Sequence, residues 1–190
     1  MVIDIDVQEG KSGDWSVEVF EVSQEDAEFE TMRSMFSYSS RMIKAGTYKR
    51  LKRNGTVVMS NTPVEISDFQ RFVRRATGSV LVNGLGLGVL LKALLGKEEI
   101  TDITVVEKSE DVIRLVAPYY SDDRLTIINA DSFEYKPEKG KRYNAVWHDI
   151  WDYICGDNYT EMKTLHRKYG RRCDYQESWC REQCKRNAEK

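Results

Sequence analysis

Carboxylates stand at the ends of short apolar runs in this chain, where side chains of a folded sheet can do chemistry. Glu107, Asp131 and Asp149 each close such a run, and Asp152 follows Asp149 by three residues. A carboxylate can accept hydrogen bonds from a ligand or remove a proton from it. Because parallel strands present their carboxyl ends at one edge of a sheet, we expect these acids to line one site.

A glycine-rich turn precedes these acids in the chain. Residues 80–82 are apolar and predict a buried strand, three glycines follow at every second position, and residues 89–95 predict a helix. Glycine permits unusual backbone angles and lets a ligand approach the bare backbone, although a turn that only packs a helix on a strand is the alternative. The residues predicted to contact a cofactor here are Asn83, Gly84, Leu85, Gly86 and Gly88.

The ligand that fits these groups is a nucleoside. The glycine spacing is G-x-G-x-G, whereas a dinucleotide site is typified by G-x-G-x-x-G. Glu107 lies 23 residues after Gly84, where a carboxylate can accept from both hydroxyls of a ribose; a solvent-facing strand end is the alternative. Asp131 can accept from an adenine amine and Phe133 can cover an adenine face. Lys108 and Ser132, beside them, and Asp149 at the next strand end complete the predicted cofactor contacts.

Strands and helices that alternate predict the scaffold for this site. Apolar runs at residues 103–106, 125–128 and 143–147 are separated by helical patterns, which indicates a parallel sheet with helices on both faces. The expected fold class is therefore α/β, with a Rossmann-like sheet. We expect an N-terminal extension over residues 1–76, with a β-hairpin, and a nucleoside-binding domain over residues 77–190 that ends in helices.

The extension has its own local signals. Alternation over residues 15–22 predicts a strand, and Ser23 is a candidate N-cap for a helix. Asn54-Gly55 is a strong hairpin signal, and a helix is expected over residues 65–76. The apolar stripe on the first helix is expected to be core; its members are Phe29, Met32, Met35 and Phe36.

Composition limits the classes of function. The chain has 190 residues, 41% of them hydrophobic, so one sizeable core is expected. With 29 basic and 31 acidic side chains the net charge is -2, which argues against a partner nucleic acid held by overall charge. No apolar run approaches the roughly 20 residues of a membrane span, and the first residues do not resemble a signal peptide. A soluble, cytoplasmic protein is expected.

Charge is also distributed unevenly near the N-terminus. Residues 4–30 carry ten acids and one base, whereas residues 41–53 carry six bases and no acid. The two segments can face each other within one chain or across two chains. Together with sheet edges that need covering, this predicts a homodimer.

Five segments between about Asn54 and Asp152 resemble the class I S-adenosylmethionine-dependent methyltransferases, and among them the spermidine synthase-like branch. They read RNGTVVMS, VLVNGLGLGVLLKAL, VVEKSEDVI, RLTIINADSFEY and RYNAVWHDIWD. The resemblance implies S-adenosylmethionine as cofactor, with S-adenosylhomocysteine as product. It also implies that Asp149 is the base toward a small-molecule acceptor and that Asp152 helps to hold that acceptor.

The chain departs from the branch at several positions. Leu87 stands where spermidine synthases carry an aspartate, and Val58 where they carry a glutamine. The Asp-Glu pair after the hairpin is reduced to residues 63–65, Pro-Val-Glu. Only 38 residues follow Asp152, so the fifth strand and the terminal antiparallel pair are not expected in their usual form.

The C-terminal tail is expected to be helical, over residues 159–169 and again from Asp174 to about residue 185. The cysteines all lie in the last 36 residues and are expected to be free thiols. Cys173, Cys180 and Cys184 share one helical face if the second helix starts early enough. A metal site formed by these cysteines is the less favoured alternative. Nine bases against five acids from residue 158 onward favour a solvated face. His148 is a candidate for proton transfer or a satisfied histidine, and His166 is expected at the surface.

The first functional interpretation is a small S-adenosylmethionine-dependent methyltransferase with an unknown acceptor. Aminopropyl transfer from decarboxylated S-adenosylmethionine is the second, and it fits Leu87 and Val58 poorly. A non-catalytic nucleoside-binding or scaffold protein is the third. The paired acids Asp149 and Asp152 favour an enzyme, whereas the short C-terminus favours the scaffold. Trp147, Trp151 and Tyr153 are predicted either to wall a substrate pocket or to fill the core.

Overall fold

A computed structural model describes residues 3–36 and 43–190, and a five-stranded parallel sheet is its centre. The strand order is β7-β6-β5-β8-β9, and each neighbouring pair is parallel. The strands are β5 (Gly78–Asn83), β6 (Ile100–Glu107), β7 (Leu125–Asn129), β8 (Tyr143–His148) and β9 (Cys173–Ser178). The predicted α/β, Rossmann-like fold class is confirmed.

Both faces of the sheet are covered, which explains the run of consecutive apolar residues in the middle of its central strand β5. Val80 and Val82 enter one hydrophobic cluster, whereas Leu81 between them enters the cluster on the other face. All three are at most 3% exposed. The helices described are α1 (Gln24–Phe36), α2 (Pro63–Arg75), α3 (Val89–Leu95), α4 (Glu110–Val116), α5 (Gly156–Tyr169) and α6 (Arg181–Ala188), with a 3₁₀ turn at Ala117–Tyr119.

The N-terminal strands form a second, antiparallel sheet of their own. Its order is β1-β2-β3-β4, with β1 (Gly10–Ser12), β2 (Trp15–Val22), β3 (Gly46–Arg53) and β4 (Thr56–Ser60). The predicted hairpin turn has both Asn54 and Gly55 in left-handed conformations, at φ 48° and 82°. The predicted cap is also confirmed, because the Ser23 hydroxyl accepts from the Asp26 N–H at 3.1 Å.

The first helix does not bury the stripe that its spacing suggested. Phe29 and Met32 are 61% and 60% exposed, whereas Ala27 is buried. The side chains of Met35 and Phe36 lie outside the described residues. Helical periodicity defines an apolar face, but the packing of the helix against its neighbours decides which face meets the core.

The prediction of a helix from Asp174 is wrong. Residues 173–178 form β9, which pairs with β8 from Tyr143 to His148 and adds the fifth strand that the short tail did not lead us to expect. Asp174 pairs with Arg142 at 3.0 Å instead of capping a helix, and α6 begins only at Arg181. The three terminal cysteines therefore share no helical face: Cys173 lies on the strand, Cys180 caps α6 and Cys184 lies within it. No disulfide bond joins the four cysteines, all of which lie within the described residues.

Opposite charges of the N-terminal region meet within the chain. Glu18 on β2 contacts Arg50 at 3.0 Å and Lys52 at 2.9 Å, both on β3. The basic segment also includes Arg41, which lies outside the described residues. Among the described helices, none has the length and apolar character required to cross a membrane.

Self-association remains a prediction, and light scattering on the eluting protein tests it. Both sheets have open edges, at β7 and β9 and at β1 and β4, and such edges favour pairing or covering. We expect a mass of about twice the 22.1 kDa of the chain at high micromolar concentration. A mass near 22.1 kDa would exclude the homodimer.

Candidate functional site

A cavity of about 670 Å³ lies between the carboxyl ends of the parallel strands and the N-terminal sheet. Its walls come from β2, β3 and β4 on one side and from the ends of β5, β6, β7 and β8 on the other. The predicted site residues that line it are Gly84, Leu85, Gly86, Glu107, Lys108, Asp131, Ser132, Phe133, Asp149 and Asp152. Among the predicted residues, Asn83 and Gly88 are not part of this lining.

The glycine turn is shaped by close approach of other backbone and side-chain atoms. Gly84 has φ 100°, and a Cβ there would overlap the carbonyl oxygen of Asp149. Gly86 has φ 51°, and a Cβ there would overlap the Met59 sulfur, which also accepts the Leu87 N–H at 3.1 Å. Because Gly84 and Gly86 have no side chains, the turn can lie directly against the loop after β8 and against strand β4, beside the cavity.

Asn83 and Gly88, the two predicted cofactor contacts that do not line the cavity, are instead packed against other parts of the protein. Asn83 is fully buried, and its side-chain nitrogen lies 2.8 Å from Nδ1 of His148. Gly88 is left-handed at φ 73°, and the Tyr120 ring packs against it while the Tyr120 hydroxyl donates to the Leu87 carbonyl at 3.0 Å. Leu87 is completely buried and presents no group to the cavity.

Glu107 is the most constrained acid in the site. One carboxylate oxygen accepts the Leu85 N–H and the other accepts the Ser109 N–H, each at 2.8 Å. Burial raises the pKa of Glu107 and the charge of Asp152 adds to this, while the backbone N–H groups of Leu85, Ser109 and Lys108 oppose the shift. A carboxylate can accept about four hydrogen bonds, so Glu107 keeps acceptor capacity for a ligand hydroxyl beside these backbone donors.

Asp131 and its neighbours form a compact turn after β7. Asp131 accepts the Phe133 N–H at 2.8 Å through one oxygen and pairs with Lys108 at 2.9 Å through the other. Lys108 lowers the pKa of Asp131, so this carboxylate is ionised at neutral pH. The Lys108 side chain is 78% exposed, so it can move aside for a ligand donor.

Asp149 lies at the end of β8, within the acidic part of the cavity. Burial raises its pKa to about 7, and the negative charges of Glu65, Asp68 and Glu107 act in the same direction. The nearby Trp147 indole N–H opposes this rise without forming a hydrogen bond to Asp149, since its nitrogen has no hydrogen-bond partner among the described residues. A carboxylate with a pKa near neutrality is suited to exchange a proton with a ligand.

Asp152 differs from Asp149 in its surroundings. Its carboxylate lies 3.5 Å from the Arg53 guanidinium, and the side chain is 37% exposed. Arg53 also stacks over the Trp15 ring, 5.4 Å from its centroid. The second acid is therefore linked to the N-terminal sheet through Arg53.

The charge of the whole lining could not be read from spacing along the chain. Nine acids and two bases line the cavity, so a cationic ligand is favoured there. The acids are Asp14, Glu65, Glu107, Glu110, Asp111, Asp131, Asp149, Asp152 and Glu161, and the bases are Arg53 and Lys108. Sequence reasoning noted Glu65 only as the remnant of the Asp-Glu pair after the hairpin, and it missed Arg53 and Glu161, which no local signal distinguished from other charged side chains.

Aromatic side chains complete the walls. Trp147 and Trp151 line the cavity and are also almost fully buried, whereas Tyr153 is 69% exposed and contributes to neither role. Trp179, which sequence reasoning missed, adds a further ring; its indole N–H donates to Asp68 at 3.2 Å. The Trp151 indole N–H donates to Glu161 at 2.6 Å.

The histidines belong to the interior rather than to the site. His148 is fully buried between Asn83 and Gln176, and burial lowers its pKa to about 3. His166 is half-buried and contacts the Ser178 hydroxyl at 2.8 Å, so its expected surface position is wrong. Within residues 3–36 and 43–190, no three His, Cys, Asp or Glu side chains are grouped as metal ligands would be.

Solved structures similar to this chain are mostly methyltransferases, with spermidine synthases among them, as the resemblance in the sequence predicted. Spermidine synthase from Thermotoga maritima is 16% identical, with 84% of this chain and 52% of that chain covered and a TM-score of 0.47. The plantazolicin methyltransferase BpumL in complex with SAH is 19% identical, with 55% and 41% covered and a TM-score of 0.40. No protein-family model matches the sequence, and no curated protein does.

The likeness concerns part of the fold. This chain spans about half the length or less of these solved structures, so function has to be argued from the cavity itself. Two features of the lining are compatible with a nucleoside that carries a charged tail: the partly buried Glu107 carboxylate keeps acceptor capacity, and the Trp147 indole nitrogen lacks a hydrogen-bond partner among the described residues.

Proposed function

We propose that this protein is an S-adenosylmethionine-dependent methyltransferase whose acceptor is an amine. The observation that carries the proposal is the grouping of Glu107, Asp131 and Asp149 around one cavity, at the carboxyl ends of β6, β7 and β8 or in the turns that follow them. An excess of seven acids over bases in the lining supports a cationic acceptor.

Each residue has a defined part in holding the cofactor. Glu107 accepts hydrogen bonds from the ribose hydroxyls, Asp131 accepts from the adenine amine, and Phe133 covers the adenine ring. Leu85 and Gly86 present the turn along which the amino-acid tail extends. When bound, S-adenosylmethionine supplies a methyl group activated by its sulfonium.

Asp149 is the proposed base. Its pKa of about 7 allows it to take the proton that the acceptor nitrogen releases, and the surrounding rings of Trp147 and Trp151 exclude water from it. Asp152 and Glu161, farther along the wall, hold the cationic part of the acceptor. Correct placement of acceptor and cofactor is the main contribution expected of such a site.

Aminopropyl transfer is the second candidate, and one observation favours it. A lining with nine acids and two bases disfavours a ligand tail that carries its own carboxylate, whereas decarboxylated S-adenosylmethionine lacks that group. Leu87 opposes this candidate, because it is buried and supplies no carboxylate for the tail amine.

Isothermal calorimetry with a small set of ligands tests these assignments. S-adenosylmethionine and S-adenosylhomocysteine are expected to bind with Kd values of about 1–100 µM, and NAD is expected not to bind because the turn lacks the dinucleotide spacing. Tighter binding of decarboxylated S-adenosylmethionine would instead support aminopropyl transfer. Absence of heat with all three S-adenosyl ligands would contradict the proposed cofactor.

Mass spectrometry of reaction mixtures separates an enzyme from a binding protein. A mass increase of one methyl group on an amine offered with S-adenosylmethionine supports the methyltransferase. Cofactor binding without transfer to any member of a panel of mono-, di- and polyamines would favour the non-catalytic alternative.

A further inference from the structure

Lys168, near the end of α5, reaches the turn that follows β7. Its ammonium donates to the Ser132 carbonyl at 2.9 Å and to the Phe133 carbonyl at 2.7 Å. These two residues line the cavity, whereas Lys168 does not. The contact therefore joins the C-terminal end of α5, outside the cavity, to the wall on which the adenine is proposed to lie.

The turn needs this support because its own hydrogen bonds run elsewhere. The Asp131 carboxylate accepts a hydrogen bond from the Phe133 N–H, and the Asp131 carbonyl accepts from the Glu134 and Tyr135 N–H groups. Ser132 is only 4% exposed, so its carbonyl has little access to water. Besides Lys168, the Tyr169 hydroxyl reaches the same Ser132 carbonyl, at the long distance of 3.4 Å.

The charges around Lys168 are consistent with a fixed position. Burial lowers its pKa, while the nearby carboxylates of Glu134 and Asp131 act in the opposite direction. The ammonium also lies 5.4 Å from the centroid of the Tyr169 ring. Hydrogen bonds from a charged donor to carbonyls are among the stronger ones in proteins, and loss of the donor would leave the Ser132 carbonyl with only the long contact from Tyr169.

We propose that Lys168 is a positioning residue for nucleobase specificity. By holding the Ser132 and Phe133 carbonyls, it fixes the turn so that the Asp131 carboxylate meets the exocyclic amine of adenine while Phe133 covers the ring. This inference rests on the proposed function. Its particular claim is that Lys168 controls the preference for adenine over a base with oxygen at the same position.

The test compares two ligands in calorimetry. S-adenosylhomocysteine carries the amine, and S-inosylhomocysteine carries a carbonyl oxygen there, which faces the Asp131 oxygen without a proton between them. The wild-type protein is expected to prefer the adenine ligand by about 30-fold. In Lys168→Met, which keeps an unbranched stem, we expect that preference to fall below about 5-fold, since the turn no longer holds Asp131 in place.

Lys163→Met is the matched control. Lys163 is an exposed lysine of the same helix, and its ammonium lies over the Tyr159 ring rather than at the turn. It is expected to retain the full preference. Lys168→Gln keeps a shorter hydrogen-bond donor and is expected to show an intermediate preference for the adenine ligand. If Lys168→Met does not fold, the preference measured for Lys168→Gln tests the role of Lys168 instead.

The outcomes distinguish this inference from the proposed function. If the wild-type protein binds neither ligand, the proposed function fails and this inference fails with it. If the wild type binds and prefers adenine, but both Lys168 variants keep the same preference while melting at lower temperature, Lys168 is only a structural support and the inference alone is overturned.

Discussion

Turnover of the Asp149→Asn variant is expected to fall by about 10²-fold or more, while the affinity for S-adenosylhomocysteine changes little. Asparagine keeps the shape of the side chain at the end of β8 and removes its capacity to accept a proton. The backbone contact of Asp149 with Gly84 is unaffected, because it involves the main-chain oxygen. Steady-state rates on the amine identified by mass spectrometry, together with calorimetry, give both quantities.

The pH dependence gives an independent check on the same residue. Burial and neighbouring acids raise the pKa of Asp149 to about 7, so the ionised form that accepts a proton accumulates as pH rises through that value. For wild type, kcat/KM is expected to increase about tenfold per pH unit below about 7 and to level off above it. The pH profile of Asp149→Asn is expected to lack this rising limb below about pH 7.

Asp152→Asn is the matched control for this prediction. Asp152 has the same side chain, but it is partly exposed and paired with Arg53. Its variant is expected to raise KM for a cationic acceptor while the limb near pH 7 remains. Full activity of Asp149→Asn, or loss of the limb in Asp152→Asn instead, would reassign the base.

Glu107→Ala is expected to weaken S-adenosylhomocysteine binding by about 30-fold, which corresponds to about 2 kcal/mol. The variant loses the acceptors for both ribose hydroxyls. It also frees the Leu85 and Ser109 N–H groups, which the carboxylate holds at 2.8 Å, so part of the effect comes from a less ordered turn. Calorimetry with a 2′-deoxyribose analogue separates the two contributions.

The analogue lacks one of the hydroxyls that Glu107 is proposed to bind. If that contact exists, wild type discriminates between the two ligands and Glu107→Ala discriminates less, because the two losses are coupled. Glu110→Ala is the control, since Glu110 also lines the cavity but pairs with Arg114. Equal affinity of Glu107→Ala and wild type for S-adenosylhomocysteine would exclude the ribose placement.

The sequence predicted helices, strands and turns correctly where a short-range signal determines the backbone conformation. The helix predicted over residues 89–95 is α3 with the same bounds, because glycines before it and Gly96 after it delimit the apolar run. The strand over residues 15–22 and the hairpin at Asn54-Gly55 follow from alternation and from a turn that only certain residues adopt. The ends of the parallel strands were recognisable for the same reason, so Glu107, Asp131 and Asp149 could be predicted as site residues.

Local signals failed where a partner element decides the conformation. Residues 173–178 carry a helix-like cap signal in Asp174 and Glu177, yet they form β9 because the open edge of β8 offers a ladder of backbone hydrogen bonds. Likewise, Phe29 and Met32 have the spacing of a core stripe, but Ala27 faces the interior. In both cases the competing interaction lies far away in the chain.

The chain by itself thus determined the fold class, the glycine turn and the acids at the strand ends. Only the tertiary structure decided how the cavity is closed and charged: Met59 lies 28 residues from Leu87 in sequence, and Lys168 lies 35 residues from Phe133. The pKa of Asp149 depends in the same way on burial and on Glu65, Asp68 and Glu107, which come from other elements. Spacing along a chain encodes backbone conformation over a few residues, whereas burial and electrostatic fields are set by distances in space.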